Sequence, residues 1–580
     1  MEITTLKPHF KSMPNDQKKI WLCIIVICLV NWIANFWQIS RFGLYLDDYS
    51  RIPQAMEATL KSFSDQLTFV FNADLHVRPL HNYLIQGLAL VGNTFGGLRG
   101  IYIIGYIIST VNTLLLFSLF RRICSQWLFS LIGAMVYCLY PIATIKIWLT
   151  SLLGIQPALT FLLVAMHFYF SGFKFISYIL MTVSLFCYES IYPVFIAAPF
   201  LKQNNNRDSS RELFKHVLIS SGIFVGIVGL KFSFLDPRVQ QIKYATLLQT
   251  ILKNMLAGLV FNFRKHLSIP IKNMMVLPRE LLVLQLASFG GLLFFFWKIK
   301  ATDPLFSSSW KQPLTADSAF KKVGGPNYRY AKLLATALLM VMLSYTMSFY
   351  GKVYHSSGIA SRIHTPAVLG MTLSFATISI AVLSICGRKR TFCFLALIAL
   401  MFSSLITYNY RIQRNYAASR DLQRCFWSEV VELCPDVEDD TLILVDPNGF
   451  PKTFSDISVN WSQSCILEKL FHFPETWQHF PRVYMLTSSP NSTSFSAEKM
   501  LSVDSLSELL NNKIISFLKT DDINRKFKMA NTIVLTSEGG TLHRRMWLEN
   551  AHKKRFRLKP RSENRLCRLK HGILYPYLIK

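Results

Sequence analysis

Acidic residues are scarce in this chain: 33 Asp and Glu stand against 62 Lys and Arg. Charge of both signs is thin, at 16% of 580 residues, while hydrophobic residues make up 51% and the mean hydropathy is +0.31. That balance excludes an ordinary soluble domain and fits a chain with many membrane spans. Missing too are a Gly-rich phosphate loop, clustered metal ligands and an internal repeat, so the common nucleotide-binding and zinc-site signatures are excluded. Most of the 11 cysteines fall within apolar runs and lack metal-ligand spacing. Cys425, Cys434, Cys465 and Cys567 lie in the tail, where an oxidising exterior would permit disulfides. No cleavable leader is expected, because the run after Lys7, Lys11, Lys18 and Lys19 is long enough to stay as an anchor.

The excess of cations leaves a net charge of +29. Such a balance points to nucleic acid, a membrane surface or an anionic substrate. Here the cations sit between apolar runs and in the tail. Anionic lipid head groups or a phosphate-bearing lipid are therefore the expected partners, and nucleic acid is not.

A spanning helix needs about 20 apolar residues. Candidates lie near 20–40, 98–120, 127–145, 152–171, 214–234, 281–299, 331–350, 366–386 and 391–410. Two shorter runs, 173–187 and 189–201, flank Tyr188-Glu189 and read as crossings that meet at a tight external turn. The total is about eleven spans. The positive-inside rule puts the N-terminus inside, together with Arg121, Arg122, Lys174, the 202–215 and 298–332 loops and Arg388-Lys389-Arg390. Residues 236–280 fall outside yet hold Arg238, Lys243, Lys253, Arg264, Lys265, Lys272 and Arg279, which makes them a candidate phosphate-binding surface. Lys231 is the nearest ionisable residue to mid-membrane, close enough to a helix end to snorkel.

The expected architecture is mostly α: a polytopic membrane domain over 1–410 and an extracytoplasmic α/β domain over 411–580. The first external loop, 41–97, holds amphipathic spacing from Ile52 to Phe71 and a short apolar run from Leu80 to Val91, both suited to the interface. In the tail, strands are predicted at 441–446, 514–518 and 532–535, and an amphipathic helix over 419–433. Asp436, Glu438, Asp439 and Asp440 read as a solvated acidic turn.

Chemistry is expected on the outer face. Asp47 and Asp48 follow the first span in Leu44-Tyr-Leu-Asp-Asp-Tyr-Ser-Arg51. Carboxylates beside apolar spans are costly and call for an explanation. The plain one is that the pair is solvated or caps a surface helix starting near Ser50. The other is that one of them is a general base. On the same side fall His76, Arg78, His81, Lys146, Trp148, Glu189, Lys352, His355, Arg362 and His364. Each singly has a structural alternative, with Glu189 paired to a nearby cation and the histidines buried in packing. Together they suit an anionic lipid-linked substrate and a hydroxyl acceptor. Arginine grips phosphate with a planar fork, a carboxylate takes a proton from the attacking hydroxyl, and cations stabilise the phosphate that leaves.

With Asp47-Asp48-Tyr49-Ser-Arg51, Arg78-Pro79-Leu80 and the Tyr188-Glu189 turn, the chain resembles the GT-C superfamily of polytopic glycosyltransferases. It is most similar to the type II glucosyltransferases of bacterial serotype conversion and more distantly to protein O-mannosyltransferases, whose matching pair is Asp-Glu. The similarity of motif covers about the first 200 residues. The tail resembles nothing known, and the Arg362 loop matches loosely. The resemblance implies inverting transfer of a sugar from a polyprenyl-phosphate donor to a hydroxyl of a lipid-linked or surface glycan, in a bacterial inner membrane with the N-terminus cytoplasmic. Asp47 would be the base and Asp48 would assist or bind the acceptor. Arg78, His81, Glu189, Arg362 and His364 would bind substrate. No metal or other cofactor is implied, although adjacent carboxylates can hold a divalent cation. A flippase for a lipid-linked glycan, or a glycan polymerase or ligase resting on late-loop Arg and His, are the alternatives.

Overall fold

The computed structural model describes residues 14–59, 61, 78–202, 207–233, 244–302, 326–348, 353–356, 358–386, 388–446, 450, 466–485, 514–516, 526–549, 555–562 and 564–580. His76 and Lys352 lie outside them, as do Arg238, Lys243 and most of 301–330.

Helix dominates. Among the described residues, six helices are long and apolar enough to cross a membrane: Gln17–Arg41, Pro79–Ile123, Ser151–Phe170, Arg279–Lys300, Val368–Ile385 and Arg390–Leu433. Three shorter apolar helices accompany them, Trp127–Cys138, Lys174–Cys187 and Glu189–Leu201. The last is a 3-10 helix containing Pro193 and Pro199, and its 13 residues reach further than their number suggests. At about 2.0 Å per residue it extends roughly 26 Å, against about 20 Å for an α-helix of that length.

The helix Pro79–Ile123 is two arms folded at Gly96 and Gly97, where φ and ψ leave the helical region. Gly97 has φ +58, and a Cβ on Gly100 would stand 2.1 Å from the Gly92 carbonyl oxygen. Only glycine allows the two arms to meet this closely. The first arm, 79–95, is thus a short helix that meets the start of the span 98–123 at the glycines, and it contains the short apolar run Leu80–Val91.

Of the stretch 236–280 expected as an external loop, the described residues from 244 on are mostly helical. Leu247–Met275 is a helix of 29 residues, with Asn254, Gly258, Asn262, His266 and Asn273 buried. Leu252, Leu256, Val260, Leu267 and Ile271 are exposed. Lys253, Arg264 and Lys272 are exposed beside them, so the outward face of the helix is mixed while its buried face carries the polar residues. Its cations interrupt the apolar run, which hid the periodicity.

The boundary expected at 410 falls inside the helix Arg388–Leu433, 46 residues without glycine or proline. At 1.5 Å per residue it is roughly 69 Å long, more than twice a bilayer core. Its apolar first half packs against Arg279–Thr302. Its polar second half leads into the tail and ends before Pro435, which cannot continue it. There Leu442–Asp446 (β1) pairs in parallel with Arg482–Met485 (β2) and Thr532–Glu538 (β3), and Thr541–Arg545 (β4) runs antiparallel to β3. The predicted strands at 441–446 and 532–535 are β1 and part of β3. Ile514–Ser516 is also a strand, in a separate pair with Lys526–Lys528. Cys425, Cys434 and Cys567 form no disulfide.

Candidate functional site

The first apolar helix ends in a short π-turn, Trp32–Phe36, and a 3-10 turn, Ile39–Arg41. Residues 42–46 then leave it as an irregular segment held by aromatic hydroxyls. Tyr102 donates to the Gly43 carbonyl at 2.6 Å, Tyr45 donates to the Tyr416 carbonyl at 2.9 Å, and Tyr49 donates to Gln423. Leu46 is buried with φ +51. A left-handed leucine costs about 1–2 kcal/mol, so its surroundings impose it. The strain falls immediately before the acidic pair.

The two carboxylates then part. Asp48 is fully buried, and its oxygens accept backbone N–H groups from Thr150 at 2.8 Å and from Tyr45 and Leu149 at 3.2 Å each. Burial pushes its pKa up to about 7, against these donors, which favour the anion. This carboxyl ties the strained segment to the turn before Ser151. Asp48, expected to assist the base or bind the acceptor, is here a brace: both oxygens are occupied and none faces solvent.

Asp47 is the first helical neighbour of Asp48–Glu57 but its side chain makes no capping hydrogen bond. The capping explanation thus does not hold. Its Oδ1 is buried with no hydrogen-bond partner, and its Oδ2 stands 3.9 Å from Arg362 Nη1, beyond hydrogen-bond length. Burial raises the Asp47 pKa, opposed by the charges of Arg362 and Arg51. A basic carboxylate with an unfilled acceptor, partly open to solvent, is equipped to receive a proton.

Arg78 and Glu189 meet in a two-pronged ion pair, Nε to Oε2 and Nη2 to Oε1, each 2.8 Å. The guanidinium also lies 4.4 Å from the centre of the Tyr188 ring. Arg78 therefore approaches any anion with Glu189 already on its fork. His81 sits against the turn Ser151–Ile155, where a Cβ on Gly154 would come within 2.3 Å of its ring. Its Nδ1 is buried without a partner, and the charges of Arg78, Glu189 and Arg362 all bear on it.

Arg362 belongs to the 3-10 turn Ile359–His364. Its neighbour His364 points elsewhere. His364 Nδ1 accepts from Tyr345 at 2.6 Å, Nε2 donates to the His355 carbonyl at 2.9 Å, and the ring stacks on Phe261 at 5.0 Å. Burial lowers its pKa to about 3. Tyr345 and Tyr140 both bond Asn262, so this network anchors the turn to the helix 247–275. His364, expected to contact substrate, has both ring nitrogens engaged and anchors the turn. His355 is exposed and lends its carbonyl to that anchor.

Asp47, Arg78, His81, Glu189 and Arg362 thus gather from separate stretches of chain into one corner. Sequence reasoning missed Tyr102, Tyr416, Gly154 and Asn262, which shape it. For Tyr102, Gly154 and Asn262 the signal was a polar or minimal residue inside an apolar run; Tyr416, in the polar stretch after residue 410, carried none. Among the described residues no three His, Cys, Asp or Glu gather as a metal site.

The long apolar helices make the fold compatible with a multi-pass membrane protein, bearing a cation-rich corner around one incompletely partnered carboxylate. No protein-family model, curated protein or solved structure matches the chain.

Proposed function

We propose that the chain is a GT-C-type membrane glycosyltransferase. It moves a sugar, with inversion, from a polyprenyl-phosphate donor to a hydroxyl of a lipid-linked or surface glycan. The observation that carries this reading is the division within the acidic pair: Asp48 is saturated by backbone N–H groups, whereas Asp47 keeps an unpartnered oxygen beside Arg362. Asp47 takes the acceptor hydroxyl's proton, and Arg362 with the Arg78–Glu189 pair faces the phosphate that leaves. About eleven crossings, with the corner and the tail together on the extracytoplasmic face, complete the proposal. The helix Arg388–Leu433 supports a common side, since Tyr416 and Gln423 touch the corner while Glu429 and Leu433 bond the sheet domain. So does Tyr577, whose hydroxyl would lie 2.9 Å from a Cβ on Gly97.

The test is sugar transfer by the purified chain in lipid nanodiscs, with a hexosyl polyprenyl phosphate as donor. Transfer that is absent under all donors, or undiminished in Asp47→Asn, removes the reading. Flippase activity is the second reading, favoured by the buried polar stripe with His266 on the helix 247–275. Lipid-linked glycan that changes leaflet at the same rate in Asp47→Asn would select it.

A further inference from the structure

The positive charge of the tail is gathered in one stretch. Between residues 544 and 570 eleven Lys and Arg stand against two Asp and Glu, whereas in the rest of 411–580 fourteen stand against seventeen. A cationic stretch on an otherwise slightly acidic domain is the electrostatic footprint of an anionic partner. The fold starts this stretch at a fixed place. The Arg544 guanidinium turns inward, onto the Leu433 carbonyl at 2.9 Å and onto Asp436. The chain then leaves β4 for a second hairpin, in which Trp547–Glu549 pairs antiparallel with Arg555–Arg557 and Trp547 stands opposite Arg557. The Leu558 N–H closes it on the Met546 carbonyl at 3.1 Å.

Trp547 is 53% exposed, and the Arg557 guanidinium, itself exposed, lies 6.0 Å from the centre of its ring. Arg545 reaches Glu538 and Arg565 reaches Glu438, but among the described residues no carboxylate pairs with Arg557. Large apolar side chains are otherwise covered in the tail: of its described residues only Phe480, Met546 and Trp547 stand exposed. Met546 and Trp547 together offer far less than the roughly 800 Å² that a stable protein partner buries on each side. A membrane surface is distant. From Arg420, which donates to the Ser40 carbonyl at the end of the first apolar helix, to Leu433, which holds Arg544, the long helix extends thirteen residues, roughly 20 Å. A glycan answers to both groups. The C–H face of a sugar ring packs on the electron-rich face of an indole, and a carboxylate or phosphate on the same chain meets the guanidinium.

We propose that the hairpin face around Trp547 and Arg557 binds an anionic glycan chain. This rests on the glycosyltransferase reading only for the glycan's role as acceptor: there the chain's reacting end is at Asp47 while its body lies along the tail on this hairpin. The face uses no residue of the acid–base step, and binding is measured without turnover.

The experiment titrates the full chain, in nanodiscs of neutral phosphatidylcholine, with a galacturonate oligomer, with dextran of matched length and with phosphatidylglycerol vesicles. The galacturonate should bind more tightly than dextran and lose affinity as salt rises. Trp547→Ala should weaken it about tenfold and Trp547→Phe less. Arg557→Gln should weaken galacturonate, flatten its salt dependence and leave dextran unchanged. Arg41→Gln removes a cation outside the stretch and should change nothing. Equal galacturonate affinity in wild type, Trp547→Ala and Arg557→Gln overturns the proposal, as does dextran bound as tightly as galacturonate. Capture by phosphatidylglycerol vesicles that depends on Trp547 and Arg557, with no such dependence for galacturonate, makes the face a membrane contact and also overturns it. Both side chains are exposed, so the variants should melt with wild type. If Trp547→Ala melts lower, Trp547→Phe and Arg557→Gln decide alone. Should galacturonate binding depend on the hairpin while no sugar is transferred, the enzyme reading fails and the glycan face stands. Transfer that proceeds while binding ignores both residues removes the face and leaves the enzyme reading.

Discussion

Two acidic turns in this molecule look alike in sequence and differ in what surrounds them. One is Asp47-Asp48 at the end of the first apolar helix; the other is Asp436 to Asp440 at the end of the longest. Each contains a non-glycine residue in the left-handed region, Leu46 at φ +51 and Asp440 at φ +61. In the tail, Asp436 is buried against Arg544, with contacts of 2.5 and 3.0 Å, and accepts the Ser562 N–H at 3.2 Å. Glu438 reaches Lys559 and Arg565, and Asp439 accepts the N–H groups of Gln478 and His479. The solvated turn expected there is therefore corrected to a structural joint, made by cations that sit more than 90 residues away in the chain. At the corner, by contrast, Asp47 keeps an oxygen with no hydrogen-bond partner. What separates a joint from a site is the inventory of partners, and this depends on residues distant in sequence.

The sharpest way to break the comparison is Asp436→Ala. It leaves Arg544, 6% exposed, without its carboxylate. Breaking a buried pair this way costs about 3–5 kcal/mol. The sheet domain should become protease-sensitive in the full chain, while the apolar bundle keeps its helicity. Burial works to raise the Asp436 pKa, but the Arg544 hydrogen bonds and charge reverse it and leave it lowered. The pair's stabilisation is thus present above the ordinary carboxylate pKa and lost as pH falls through the lowered one. A domain as resistant in Asp436→Ala as in wild type would mean the joint contributes little.

Asp47→Asn should do the opposite: little to folding, much to turnover. Loss of a general base lowers rate by about a hundredfold or more. Donor affinity should persist. A destabilised protein with near-normal specific activity would exchange the roles assigned to the two turns.

The contrast also shows how much was legible beforehand. Apolar runs give the helices, and β-branched clusters bounded by Pro and Gly give Leu442–Asp446 and Thr532–Glu538. Asp47, Arg78, His81, Glu189 and Arg362 were legible as a set because span alternation puts them on one side. Their pairing was not. Nothing local says that Arg78 grips Glu189, 111 residues on, or that Asp48 turns inward to the N–H groups of Leu149 and Thr150. The helix 247–275 is not legible from hydropathy because Lys253, Arg264, Lys265 and Lys272 interrupt its apolar run. The unbroken helix Arg388–Leu433 was split because hydropathy changes halfway, although no residue in it breaks a helix.

Within the corner itself, Asp48→Asn sharpens the division between neighbours. An amide keeps one acceptor but turns its NH2 toward backbone donors, leaving buried N–H groups unsatisfied at about 1–3 kcal/mol. We expect lower thermal stability and reduced turnover together, recovered in part at lower temperature. Reduced turnover with unchanged stability would return Asp48 to the chemistry.

The smallest effect expected is a shift in pH dependence. The Asp47 pKa is raised by burial and pulled down by Arg362 and Arg51. As a base it works when deprotonated, so turnover should fall as pH drops through that raised pKa, on an acid limb lying above the ordinary carboxylate range. Arg362→Met removes one of the two opposing cations. With less to favour the anion, the limb should move further up in pH, while turnover on the alkaline plateau falls for want of the phosphate contact. Arg362 Nη1 and Asp47 Oδ2 are 3.9 Å apart and both groups are partly exposed, so solvent screens the coupling and the shift is expected to be modest. Lys restores charge without the fork. Arg362→Lys should therefore return the limb toward its wild-type position yet leave donor binding impaired. An acid limb that stays put in Arg362→Met would place the titrating group elsewhere, and Asp47→Asn retaining the same limb would exclude Asp47 as its source.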